Sequence, residues 1–204
     1  MSWLVSALVL AQFATDVFEN DAAFEQLDVT DGVTVSRRAI AGSAFFEYRI
    51  AYDAPLSADE LCRGVFEWGT KVGDGPGVKK HAVLVDTADR RVVYDQISEP
   101  MVADRDYALT VTRERLVTGA CRIRFRITND AAPPKPERYV RMDRLWGEWH
   151  FQPLERGARL TYTMFSDPGG SIPAFLVHGT ARKITRQTAV MAVEKARQFL
   201  EVKK

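Results

Sequence analysis

Glu148 and His150 stand two residues apart in a stretch of β-forming type, so a strand through them sets a carboxylate and an imidazole on one face. With Tyr107 they are the acid–base candidates of the chain, the set a cavity enzyme would use. Two ligands do not make a metal site, and His81, His150 and His178 show no metal-ligand spacing. There is no G-x-S-x-G elbow, no G-x-G-x-x-G and no phosphate loop. Residues 73–80 are glycine-rich and end in Lys79 and Lys80, without the closing Gly-Lys-Ser/Thr, and read as a plain loop. Asp104 and Asp106 flank Arg105 and read as a loop-fixing ion pair. Cys62 and Cys121 fall on a helix and on a buried strand face; they read as core and allow one disulfide at most. A catalytic centre is therefore not expected, nor a metal or cofactor.

The elements that must position such residues are mostly strands. Residues 32–38, 44–52, 81–86 and 91–97 alternate or run β-branched and aromatic. Residues 107–117 and 121–129 face each other across Thr118 and Gly119 as a hairpin. In the second arm Cys121, Ile123, Phe125 and Ile127 share one face, and Arg122, Arg124 and Arg126 the other. That is a sheet with one buried and one wet face. The arginine row lacks interleaved aromatics for stacking, so it reads as a solvated face rather than a nucleic-acid stripe. Residues 139–153 read as a strand through Trp149 and Phe151, and residues 159–165 as another.

Helices are few. Residues 16–26 read as a short one. Ser57 with Glu60 three residues on is a capping box that opens a second through Leu61, Val65, Phe66 and Trp68. From 171 to 204 only Pro173 and Gly179 interrupt one long terminal helix. At 100° per residue its Val177, Ala181, Ile184, Thr188, Met191, Ala192, Phe199 and Val202 share a face, with Lys183, Arg186, Glu194 and Arg197 opposite. Small side chains over a concave sheet leave space beneath the helix. The class is α+β, with helices segregated to one side of the sheet.

At 204 residues and a net charge of +1, the chain suits one domain, and no global charge argues for nucleic acid or an anionic surface. Residues 3–11 form an apolar run too short to cross a bilayer, which takes about 20 residues. Val9, Leu10 and Ala11 before Gln12 resemble a cleavage site, although no Lys or Arg precedes them. Residues 1–11 are thus expected to be a signal peptide, with the domain at 16–204 exported; the alternative is an N-terminal helix on a cytoplasmic protein.

Val92-Val93-Tyr94-Asp95-Gln96-Ile97, Pro100, Asp104-Arg105-Asp106-Tyr107, the spaced Trp149, Phe151 and Pro153, and the run from Asp167 through Gly169, Gly170, Ile172 and Pro173 to Val177 resemble the START (StAR-related lipid-transfer) domain family. The resemblance spans about residues 28–200. It implies the helix-grip fold: a curved antiparallel sheet wrapped around a long C-terminal helix, with an internal hydrophobic tunnel for one lipid or sterol. It also implies an acidic residue, here Asp95, and an arginine in the tunnel. The arginine position falls on Val111, with Arg113 two residues on as a substitute. An asparagine of the lid helix is replaced by His178, which could bond a ligand hydroxyl.

The expected cavity residues are therefore Asp95, Tyr107, Leu109, Val111, Arg113, Ile123, Phe125, Trp149, Val177, His178, Ala181, Ile184, Thr188 and Met191. Gly169 and Gly170 are expected hinges, and Phe175 and Leu176 at the helix start are expected to touch a membrane transiently. The expected function is binding, and transfer, of one lipid or sterol by a monomer with no nucleic-acid partner. A cavity enzyme and a ligand-sensing domain are the competing classes.

Overall fold

The computed structural model describes residues 22–71, 73, 75, 77–98, 102–170, 172 and 174–202, excluding the side chains of 174–178, 180 and 202. The apolar run at 1–11 lies outside these residues. Of the helix expected at 16–26, residues 16–21 lie outside as well, and its end is a strand: β1, Glu25–Thr30, pairs antiparallel with β2, Val33–Ala39. Asp31 and Gly32, both at positive φ, turn one into the other, and this turn chemistry outweighs the helical spacing before it.

β3, Phe46–Ala54, leads to α1, Ala58–Lys71. The capping box is formed: the Ser57 amide donates to Glu60 Oε2 at 2.9 Å, and the Glu60 amide to Ser57 Oγ at 3.3 Å. Then follow β4, Val78–Asp86, β5, Arg90–Ile97, β6, Arg105–Arg115, and β7, Cys121–Ile127. A short β8, Val140–Arg141, precedes β9, Arg144–Pro153, β10, Ala158–Asp167, and the long α2, Ala174–Val202.

The described strands form one sheet in the order β1-β2-β3-β10-β9-β7-β6-β5-β4, with β8 parallel to β6 and all other pairs antiparallel. The last strand thus sits mid-sheet, and α2 begins where it ends. The alternation read from β7 holds: Ile123 is buried inward, while on the other face Arg124 donates to Glu148 at 2.7 Å. Ile50, Ile123, Phe151 and Leu160 from the inner face meet Leu61, Val65 and Phe66 of α1 in one core. A disulfide between Cys62 and Cys121 fastens α1 to β7.

The contact stripe of α2 differs from the one expected. Its buried residues are Thr185, Ala189, Ala192, Val193 and Ala196. From Ala189 onward this stripe lies on α1 and β3, where Tyr52 Oη donates to the Ala189 carbonyl at 3.0 Å. Met191, one position off the stripe, is half-buried against the core edge.

Candidate functional site: an apolar cavity

The second half of α2 is packed solid, and the first half is not. Between its inner side and the sheet lies a cavity of about 840 Å³. This falls within the roughly 300–1,000 Å³ usual for small-molecule sites. Ala181, Ile184, Thr185 and Thr188 form its roof, and Val65, Trp68 and Thr70 of α1 one side. The floor is sheet: Leu109, Val111, Ile123, Phe125, Trp149 and Tyr162. Trp149 and Tyr162 stack with centroids 3.8 Å apart, which stiffens the floor.

Of the residues expected in the cavity, Asp95, Tyr107, Leu109, Val111, Ile123, Phe125, Trp149, Ala181, Ile184 and Thr188 line it. Val177 and His178, like Phe175 and Leu176, lie on α2, with side chains outside the described set. Arg113 does not serve the cavity. Its guanidinium donates to Asp89 at 3.0 Å and to the Ala88 carbonyl at 2.6 Å, and sits over the Phe66 ring. It shares the inward face of β6, but α1 fills the space there and the turn acid holds the charge. Met191 also misses the cavity, because α2 has closed onto α1 by that turn. Gly169 and Gly170 occupy the connection to α2 at φ of 65° and 69°, a backbone region open to glycine.

The acid–base candidates separate. Gly147 and Trp149 alternate inward along β9, so Glu148 and His150 face outward, where Glu148 is held by Arg124 and burial lowers the His150 imidazole. Tyr107 alone of the three meets the cavity, its phenol pushed far up by burial and by the Asp95 charge.

The run Asp104 to Tyr107 is not an internal ion pair. Asp104 binds Lys79. Arg105, buried at the cavity wall, donates to the carbonyls of Ala103 and Pro168. Asp106, fully buried on the other face, accepts from Arg141 and from Tyr94 Oη at 2.9 Å. Strand alternation explains the split: neighbours cannot share a face.

One polar row crosses the wall, and sequence reasoning missed its first member. His81, Asp95 and Tyr107 are register partners on β4, β5 and β6. His81 Nδ1 lies 2.6 Å from Asp95 Oδ1, and Nε2 lies 3.1 Å from the Thr70 carbonyl. The hydrogen bond to Asp95 holds the imidazole above its ordinary value. The Asp95 charge also acts on the neighbouring Tyr107 phenol and raises it. Among the described residues no three His, Cys, Asp or Glu side chains gather as a metal site.

An antiparallel sheet that wraps a long C-terminal helix over an internal cavity defines a helix-grip protein. No protein-family profile matches the chain. It is 30% identical over 156 residues to the uncharacterized protein PA1579 of Pseudomonas aeruginosa, covering 72% of this chain and 74% of that protein. The crystal structure of a STAR-related lipid transfer protein from Xanthomonas axonopodis superposes with a TM-score of 0.74 at 26% identity, over 85% of this chain and 98% of that one. Human StAR-related lipid transfer protein 5 shares the fold, with a TM-score of 0.70 at 17% identity over 95% and 93% of the two chains. The chain thus has the helix-grip fold of the START (StAR-related lipid-transfer) domains that it resembles.

Proposed function

We propose that the protein binds one lipid molecule in the cavity and transfers it between membranes. The observation that supports this is the cavity itself: about 840 Å³, walled mostly by aromatic and aliphatic side chains, with the row His81, Asp95 and Tyr107 and the buried Arg105 as its main polar groups. Burying apolar ligand surface there contributes about 25 cal/mol per Å² removed from water. The similar Xanthomonas protein, named for lipid transfer, supports the same reading. A sterol-like or acyl ligand suits so largely apolar a wall better than a zwitterionic headgroup does.

Exchange requires the roof to move. The second half of α2 is fixed to α1 and β3, so the half before Thr188 is the part that opens, about Gly169 and Gly170. Phe175 and Leu176, in the first turn of that half, touch the membrane during loading. No helix among the described residues is long and apolar enough to cross a membrane. The protein acts as a monomer, by binding and without catalysis.

The test is purification from a lipid-rich host followed by native mass spectrometry and solvent extraction. A stoichiometric lipid supports the reading and names the class. A ligand-free protein that also fails to take lipid from vesicles removes it. For the membrane step, F175D with L176D should slow transfer between vesicles while binding stays intact; unchanged transfer rejects that contact.

A further inference from the structure

We propose that His81 is the proton-controlled counter-charge of Asp95, so that the cavity binds a neutral, hydroxyl-ended lipid while His81 holds its proton. The inference rests on the lipid-binding reading and adds the chemistry of the ligand's polar end and its control.

Both ring nitrogens of His81 face groups that only accept: the Asp95 carboxylate at 2.6 Å and the Thr70 carbonyl at 3.1 Å. A neutral imidazole has one N–H and one lone pair, so it satisfies one of these and turns the lone pair on the other. The imidazolium satisfies both. Thr70 lies in the last turn of α1, where exposed carbonyls make the negative end of the helix dipole and favour a cation. The ring is also confined: a Cβ on Gly73 would lie 2.2 Å from His81 Cβ and Cγ.

The other charges around the ring are engaged elsewhere. From α1, Lys71 pairs with Glu67 and Asp86. From β5, Arg91 binds Asp86, Glu67 and the hydroxyl of Thr70. On β4 itself, Lys79 pairs with Asp104. On β6, Arg105 donates to the carbonyls of Ala103 and Pro168, and Tyr107, the register partner of Asp95, is a neutral phenol. Among the described residues the ion pair of Asp95 is with His81.

Two consequences follow. With both imidazolium protons taken by Asp95 and Thr70, what Asp95 offers a ligand is lone pairs. Such an end accepts an alcohol O–H, whereas a carboxylate or phosphate finds no donor on Asp95. The second consequence is linkage. An apolar ligand strips water from Asp95, and a carboxylate in a dry cavity is costly unless paired. Filling the cavity therefore raises the affinity of His81 for its proton, and by reciprocity the proton raises the affinity for ligand. Affinity is full where His81 is protonated in the free protein. It falls by up to about tenfold per pH unit above that point, the slope for one proton.

The experiment uses dehydroergosterol, a fluorescent sterol with a free hydroxyl, titrated into the full chain across the range where histidines exchange protons. Wild type should lose about tenfold in affinity per pH unit on the alkaline side. H81Q should bind with no such slope, and the acetylated probe should bind at least tenfold more weakly. In parallel, nitrogen NMR of the His81 ring in unliganded wild type should show both nitrogens protonated at neutral pH, a readout that needs neither ligand nor variant. A flat wild-type curve, an equal slope in H81Q or a neutral ring would overturn the proposal while leaving lipid binding in place. Failure of dehydroergosterol and of 1-hexadecanol to bind at any pH overturns the lipid reading, and the hydroxyl-ended ligand with it.

Discussion

Gly64 of α1 meets Ala196 of α2 so closely that a Cβ on the glycine would lie 2.5 Å from the alanine Cβ and 2.6 Å from its Cα. Because one of the atoms met is backbone, a side-chain rotation cannot relieve the clash. This contact holds the second half of α2 against α1, beyond the part of the helix that roofs the cavity. G64A should therefore cost about 1–3 kcal/mol, the range for overpacking a tight core. G64V should cost more and wedge the helices apart. Urea unfolding measures the loss, and dissociation of a bound fluorescent lipid should quicken in parallel. Unchanged stability in G64A would mean that the helices adjust without strain.

The Cys62–Cys121 disulfide joins α1 to β7 across 59 residues of sequence. Both residues are buried, 0% and 2% exposed, in the core beside the cavity. By loop-closure entropy a bridge of this span is worth about 4 kcal/mol, and measured bridges commonly give 2–4. Unfolding of the C62A/C121A variant, or of reduced wild type, should show a loss of about that size. Mass spectrometry of the unreduced chain should find no alkylatable thiol. Two free thiols would remove the bridge from the account.

Asp106 is 0% exposed and accepts from both Arg141 and Tyr94. Its carboxylate holds the Arg141 guanidinium above its ordinary value, as expected of a close charge-assisted pair. D106A leaves a partly buried cation and a buried phenol without their acceptor, which should cost about 3–5 kcal/mol. A D106L/R141M double variant should recover much of that, because the unpaired charge is gone. Denaturant midpoints of the variants decide it: if D106A alone is mild, the cluster is not a structural anchor.

Much of this architecture was legible, because strand alternation and the terminal helix are local patterns. The inward row of β7 and the capping box at Ser57 needed no partner to be recognised. What failed depended on partners. Arg113 lies on the inward face of β6 as read, but α1 and Asp89 occupy the space it would reach. Met191 shares a helical stripe on paper, yet the stripe is set by where α2 meets Gly64. The His81–Asp95 pair was hidden by register. Counting back from the turn, Asp86 faces Arg91, which would place His81 opposite Gln96 on the wrong face. An irregularity between Val83 and Val85 shifts β4 by one residue and brings His81 to Asp95. A one-residue slip reverses every side chain beyond it, and composition does not signal where it occurs.

The same shift makes the unliganded protein's stability depend on pH in a way that separates two histidines. His81 is held above its ordinary value by Asp95, so its contribution is fully present below the unfolded imidazole value and is lost as pH rises through the folded one. His150 is lowered by burial, so it acts in the opposite sense and removes stability as pH falls below the unfolded value. Stability of wild type should therefore decline on both sides of a maximum. Subtracting the H81Q curve from that of wild type cancels His150 and isolates His81. The difference should be largest on the acid side, about 1.5–3 kcal/mol for a hydrogen bond to a charged group, and should shrink as pH rises. Denaturant unfolding at a series of pH values measures it, and a difference that instead grows with pH would show that the His81 imidazole folds in its neutral form.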